Sequence, residues 1–210
     1  MKKLITFATL LALTGFASAA GIVNGDFTGS EVAANDTVEY ADLNNGWLHL
    51  NWAQDSGAGT MACNSTANYQ SFGQLFTSTD TGSKTLEVTW MQNTSLATKE
   101  IIIEMWGFYG ANDGTFANNN LGKETNWADG EYPDKTATSA AGTVVSLGRT
   151  HLSRANDTSW VTTEIEIAMD SGTYDYYGIR IAGRKNSNMV VSDVSLAGSG
   201  GLLGSLFIIK

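Results

Sequence analysis

Cysteine and proline are all but missing from this 210-residue chain: Cys63 is the single cysteine and Pro133 the single proline. One cysteine excludes an internal disulfide, so stability must come from packing or from a metal. Histidine is nearly as scarce. His49 and His151 are each flanked by strand-like residues and show no metal-ligand spacing, which argues against a His-rich zinc site. Charged residues make up only 16% of the chain, and no Ser/Gly run that would join two domains occurs before residue 198. A single domain is therefore expected, at the usual scale of about 100 to 200 residues. Gly-x-Ser-x-Gly, His-Glu-x-x-His and a phosphate-cradling glycine loop are all lacking. Catalysis is left with carboxylates alone; Glu104, Glu164 and Glu166 are the acids from which a glycosidase pair would be drawn.

What is present starts with an export signal. Lys2 and Lys3 are followed by an apolar stretch, Leu4 to Phe16, and by the small residues Ala17-Ser18-Ala19 of a cleavage site. Residues 1–19 therefore read as a cleaved secretory signal peptide, too short for a stable transmembrane span, and the mature protein is expected to be secreted or on the cell surface. Removing Lys2 and Lys3 leaves 10 basic residues of the 12 against 21 acidic ones, a net charge of −11. Such a surface repels nucleic acid and anionic lipid. It suits a soluble exported protein or one whose carboxylates hold calcium.

After residue 20 the hydrophobic period is two. Leu86, Val88 and Trp90 alternate with Thr85, Glu87 and Thr89; Val161, Thr163, Ile165 and Ile167 with Thr162, Glu164 and Glu166; Tyr177, Ile179 and Ile181 with Tyr176, Gly178 and Arg180. One dry and one wet face predict an all-β chain folded as a β-sandwich of jelly-roll type over residues 20–197. Strands are expected at 21–28, 46–52, 69–76, 84–92, 99–109, 142–149, 158–168, 174–183 and 187–196. The continuous run Ile101-Ile102-Ile103-Glu104-Met105-Trp106 reads as a central strand covered on both faces. Residues 110–141 form a polar insertion too long for a hairpin loop, a length that is usually functional or disordered. Residues 198–210 form a Gly/Ser spacer and an apolar tail, Leu202 to Ile209, able to add a strand to a sheet edge.

The order of several short motifs carries a family resemblance. Asn24-Gly25-Asp26-Phe27, Gly46-Trp47, Trp160, Tyr174-Asp175-Tyr176-Tyr177 and Val190-Val191-Ser192-Asp193-Val194-Ser195-Leu196 together resemble carbohydrate-binding modules of families 4, 9 and 22, over about residues 21–197. The resemblance implies a jelly-roll sandwich, often with a structural calcium and sometimes with a glycan groove on the concave sheet. Such modules commonly place a Glu after the first Phe and paired Asp residues near the last Val. Here those positions are Thr28 and Ser192-Asp193, which leaves Asp26 and Asp193 as the metal candidates.

Sugars stack their apolar C–H faces on flat aromatic rings and bond their hydroxyls to amides and carboxylates. Trp47, Trp90 and Trp160, among apolar strand neighbours, are expected in the core. Trp127 stands alone in the polar insertion and is the first ligand-contact candidate, with Tyr132, Asn126 and Asp129 beside it and Asn112 and Asp113 as further polar groups. Trp106 and Tyr109 lie near a strand end; Tyr174, Tyr176 and Arg180 fall on the wet face by alternation and would line a concave platform. The expected role is non-catalytic binding of an extracellular or envelope polysaccharide. The alternatives are a structural or adhesive surface protein that self-associates through residues 202–209, and a small glycan-active enzyme.

Overall fold

The computed structural model describes residues 21–29, 33–63, 70–92, 99–110, 112–118, 137–154, 158–183 and 189–198. The segment expected to be a signal peptide, most of the insertion and the C-terminal tail therefore lie outside the described residues. Fourteen strands occur among the described residues: β1 (Ala33–Ala34), β2 (Thr37–Glu39), β3 (Leu48–His49), β4 (Trp52–Asp55), β5 (Thr60–Cys63), β6 (Gln70–Phe76) and β7 (Thr81–Gln92), then β8 (Lys99–Tyr109), β9 (Thr115–Ala117), β10 (Ala137–Thr138), β11 (Thr143–Arg154), β12 (Val161–Asp170), β13 (Tyr176–Gly183) and β14 (Met189–Gly198). A single 3-10 turn, Tyr40–Asp42, follows β2. No helix among the described residues is long and apolar enough to cross a membrane.

The strands form a six-stranded sheet in the order β1-β3-β6-β13-β8-β11 and a five-stranded sheet in the order β12-β7-β14-β5-β4. These two pack face to face as a β-sandwich. Alternation decides which side chains meet between them: Phe72 and Phe76, Ile101, Ile103 and Met105, and Tyr177, Ile179 and Ile181 from the first sheet close on Leu86, Val88 and Trp90, Ile167 and Met169, and Val191 and Val194 from the second. The opposite face of β12, with Thr162, Glu164 and Glu166, is exposed, as the period-two reading requires.

A third sheet, β10-β9-β2, covers the outer face of the six-stranded sheet and builds a second core there. Val38, Phe116 and Ala137 come from the small sheet; Leu48, Leu75, Trp106, Phe108 and Tyr176 come from below. Phe116 reaches the backbone of the large sheet because residue 73 is glycine. A Cβ at Gly73 would stand 2.6 Å from Phe116 Cε2 and would also strike the carbonyl of Ile179. The apolar run of β8 is thereby covered on both sides, with Ile102 1% exposed and Ile103 fully buried.

Two expected strands are corrected. Residues 21–28 form bends and turns, not a strand, since Asn24 and Phe27 take positive φ (54° and 53°). The segment is nonetheless pinned. Gln74, fully buried, accepts the Val23 N–H at 3.0 Å and donates to the Val23 carbonyl at 3.2 Å, and Val194 N–H donates to Gly25 O at 2.9 Å. The 46–52 strand is split into β3 and β4 by Asn51, whose φ of 55° breaks the extended backbone. Trp160, expected in the core, is 45% exposed. It stands one residue before β12, whose Val161 side chain is partly buried against the main core, so the pleat turns Trp160 outward.

Candidate functional site

The outer face of the six-stranded sheet is where a concave platform was expected. Trp106, Tyr176 and Arg180 do lie there together, but beneath the small sheet: they are 3%, 1% and 1% exposed. The expectation of a wet face for Tyr176 and Arg180 is corrected, because β9 and β2 fill the place of solvent. Trp106 packs on Phe116 at 5.2 Å, and Tyr176 stacks on Phe108 at 4.8 Å and 9°. Burial pushes the Tyr176 phenol above its usual range; its oxygen accepts the Gly114 N–H at 2.9 Å.

Arg180 is held on this face by charge. Its Nη2 donates to Glu104 Oε2, its Nη1 donates to Ala117 O at 3.2 Å, and its guanidinium lies 5.4 Å from the Trp106 ring. Arg149 donates to the other oxygen of Glu104, from Nε at 3.1 Å and from Nη2 at 3.0 Å. The register explains the meeting, since Arg149, Glu104 and Arg180 are direct partners across β11, β8 and β13. Glu104 is fully buried and occupied on both oxygens, so the acid that sequence offered as half of a glycosidase pair serves as a structural counter-ion. Glu164 and Glu166 stand on a different sheet, on the exposed face of β12.

Tyr109 (37% exposed) and the partly buried Tyr174 meet at the far end of β8, with ring centres 6.1 Å apart. Trp127, Tyr132, Asn126 and Asp129 lie outside the described residues. Asp26 and Asp193 flank the backbone bond between Gly25 and Val194 and open into different clefts. The Asp26 carboxylate accepts from Thr28 N–H and Oγ1, and that of Asp193 accepts from Ser195 Oγ. Among the described residues no group of three or more His, Cys, Asp or Glu side chains is placed to hold a metal.

A cleft of about 650 Å3 with mixed chemistry lies between the segment at 23–29 and the turn at 42–48. Its volume falls in the range of small-molecule sites. Val23, 39% exposed, is its apolar surface, with the buried Trp47 and Leu48 behind, while Asp26, Asp42 and Asn45 supply oxygen and amide groups. The backbone around it is unusual. Asn24, Asn44 and Gly46 line it with φ of 54°, 62° and 86°, and Phe27 adjoins them at 53°. Phe27 is a bulky residue for which this region is sparsely populated, and strain of this kind gathers at functional sites. Its surroundings hold it there. The ring is fully buried 5.7 Å from both Trp47 and Phe72, Gln54 donates to its carbonyl at 2.7 Å, and Trp47 Nε1 donates to Asn24 O at 2.9 Å.

A second cleft of about 350 Å3 lies across the 3-10 turn, lined by Glu39, Tyr40, Asn112, Asp113 and Thr115 among others. The Ser139 hydroxyl, and then the N–H groups of Ala141 and Ala140, hold the Asp113 carboxyl below its usual range, so it presents an ionised acceptor. Sequence reasoning named Asn112 and Asp113 but not the 42–48 wall. The available signal was the turn Leu43-Asn44-Asn45-Gly46 directly before Trp47.

No protein-family model and no curated protein sequence matches this chain. Among solved structures, a chain described as "CBM4 structure and function" superposes with a TM-score of 0.46 at 10% identity, over 84% of this chain and 99% of that one.

Proposed function

We propose that this protein is exported through the signal segment at residues 1–19, folds as a sandwich of jelly-roll type, and binds an extracellular or envelope polysaccharide without catalysis. The observation that carries this reading is the 650 Å3 cleft, which brings the exposed apolar side chain of Val23 together with the carboxylates and amides of Asp26, Asp42 and Asn45. That pairing is what a sugar ring requires: its C–H face needs apolar surface, and its hydroxyls need charged or amide partners, which make the stronger hydrogen bonds. The motif resemblance to carbohydrate-binding modules of families 4, 9 and 22 points the same way. Trp127, Tyr132, Asn126 and Asp129 belong to the proposal as contacts from the insertion.

The test is retention of the chain from residue 20 onward on a panel of insoluble polysaccharides. Asp26→Ala with Asn45→Ala is expected to weaken retention about tenfold, equivalent to the loss of one or two charge-assisted bonds. Trp127→Ala is expected to weaken it as well. No retention of the unsubstituted chain on any polymer sinks the reading.

Calcium belongs to the same proposal as a structural ion, with Asp26 and Asp193 as its carboxylates. If it is bound, chelation lowers the melting temperature of the unsubstituted chain and leaves that of Asp193→Asn unchanged. Equal melting with and without chelator removes the ion from the account.

A further inference from the structure

Among the described residues each large sheet has two edges, and the four are unequal. β1 and β4 have only two and four residues. β11 is broken by a bulge between Ser146 and Gly148, where the backbone lies so close to the Ile165 and Ile167 side chains that a Cβ would collide. Bulges and short length are common protections of an edge. β12 has neither. It runs ten residues without proline, in unbroken register with β7 from Val161 opposite Trp90 to Asp170 opposite Thr81, and its other side pairs with no described strand. A row of backbone N–H and C=O groups is thereby open to a further strand.

The core beside this edge is incompletely covered. Ile167 and Met169 are buried, but Val161 and Ile165, which point inward from the same strand, are only partly buried, as are Leu147 and Leu152 of β11. Trp160, 45% exposed, stands just before the strand. A strand added here would find apolar surface as well as backbone partners.

Charge selects the occupant. Two copies of β12 paired antiparallel about Ile165 would set Glu164 of each against Glu166 of the other, and like charges directly opposite disfavour such a pair. Leu202 to Ile209, which lie outside the described residues, carry no charge, and the Lys210 that follows has the complementary sign. Chain geometry decides whose tail it is. Gly198 pairs with Lys84 and Lys84 with Ile167, so the open side of β12 lies three strand spacings from Gly198, about 14 Å. The four steps from Gly198 to Leu202 span about 14 Å only when straight. β7 and β12 both run three residues past that row, to Thr81 and Asp170, so a direct crossing is obstructed. A molecule's own tail would spend part of Leu202 to Ile209 on the detour; a neighbour's tail can pair in full.

We infer that the open edge of β12 accepts residues 202–209 of a second copy of this chain as an added antiparallel strand. Each molecule offers one tail and one edge, so the contact is head to tail and closes into rings or grows as open chains. No polysaccharide enters this contact, which stands whether or not a glycan binds.

The experiment is light scattering of the chain from residue 20 onward, over a series from about 1 to 100 μM. The unsubstituted chain is expected to rise to about twice the monomer mass or more. Removal of residues 202–210, and separately Leu206→Asp with Ile208→Asp, which brings carboxylates to the strand that bears Glu164 and Glu166, are each expected to hold it as monomer. On the acceptor side, Thr163→Pro and Glu164→Pro are made separately. Neighbouring residues of a strand send their N–H groups to opposite sides, so one proline spoils the ladder to β7 and the other only the open edge. The variant that keeps its melting temperature is expected to be monomeric, and to form a one-to-one pair when mixed with the chain that lacks 202–210.

A monomer at every concentration overturns the inference, as does association that survives removal of the tail. Undiminished association of the proline variant that keeps its melting temperature overturns the assignment to β12. Polysaccharide retention by the monomeric variants is expected to match that of the unsubstituted chain, so the failure of either reading is seen without the other.

Discussion

Replacing Glu104 by alanine is expected to lower the stability of this protein by about 3 to 5 kcal/mol, the usual effect of removing one partner from a buried ion pair. Glu104 is fully buried and Arg180 is 1% exposed, so the substitution strands a guanidinium where water cannot reach it. Burial already pushes the Arg180 guanidinium below its usual range, with Glu104 acting against that shift. An arginine does not escape by giving up its proton at ordinary pH. At roughly 2 to 4 °C per kcal/mol for a domain of this size, the melting temperature should fall by about 10 °C. Glu104→Gln keeps the shape and removes the charge, and should retain only part of the lost stability. Arg149→Ala should matter far less, because its side chain is 21% exposed and its bonds to Glu104 are screened. The decisive comparison is the double replacement Glu104→Met with Arg180→Met. It removes both charges together and should cost much less than Glu104→Ala alone. Urea unfolding of the four variants measures this order; equal losses for Glu104→Ala and Arg149→Ala would sink it.

The same three residues show how far the sequence could be read. β7 and β12 were legible because one of their faces is wet: Glu87, Thr89, Thr162 and Glu164 announce the outside, and Leu86, Val88 and Ile167 the inside. β13 has the same alternation, yet Arg180 and Tyr176 are buried. Nothing local marks them as covered, since the covering strands, β2 and β9, are short and lie far away in sequence, before β3 and after β8. The clue lay elsewhere. A glutamate inside the apolar run Ile101 to Trp106 demands a buried cation, and Arg149 and Arg180 are the partners the strand register supplies.

The first segment failed for the opposite reason. Asn24-Gly25-Asp26 has the composition of a turn, and it forms one. The cleft itself was hidden, because its walls come from residues 23–29 and 42–48, which meet only when Trp47 bonds the Asn24 carbonyl and Gln74 grips Val23. Such pairings are tertiary, and no periodicity foretells them.

Phe116→Ala separates a second core from a filled groove. Phe116 is 2% exposed, packs on Trp106 at 5.2 Å and sits over Gly73, where no side chain can follow it into the space it leaves. The backbone beneath is a paired strand in the middle of a six-stranded sheet, with β3 and β13 on either side of β6. A rigid floor collapses little, so the loss should lie in the upper part of the usual range for large aromatic truncations, about 3 to 5 kcal/mol. A cavity opened there is ringed by Leu75, Phe108 and Trp106, and is apolar enough to stay dry. If the small sheet is structural, this loss comes with no gain in function: Phe116→Ala should keep the polysaccharide retention of the unsubstituted protein at temperatures where both are folded, and Phe116→Leu should recover most of the stability. If the small sheet instead occupies a binding face, removing its central ring should raise retention and expose Trp106 to fluorescence quenchers. A rise in retention would move the proposed glycan site from the cleft between residues 23–29 and 42–48 to the outer face of the six-stranded sheet. Unchanged retention with a lowered unfolding midpoint would leave β2, β9 and β10 as a fixed cover over the six-stranded sheet.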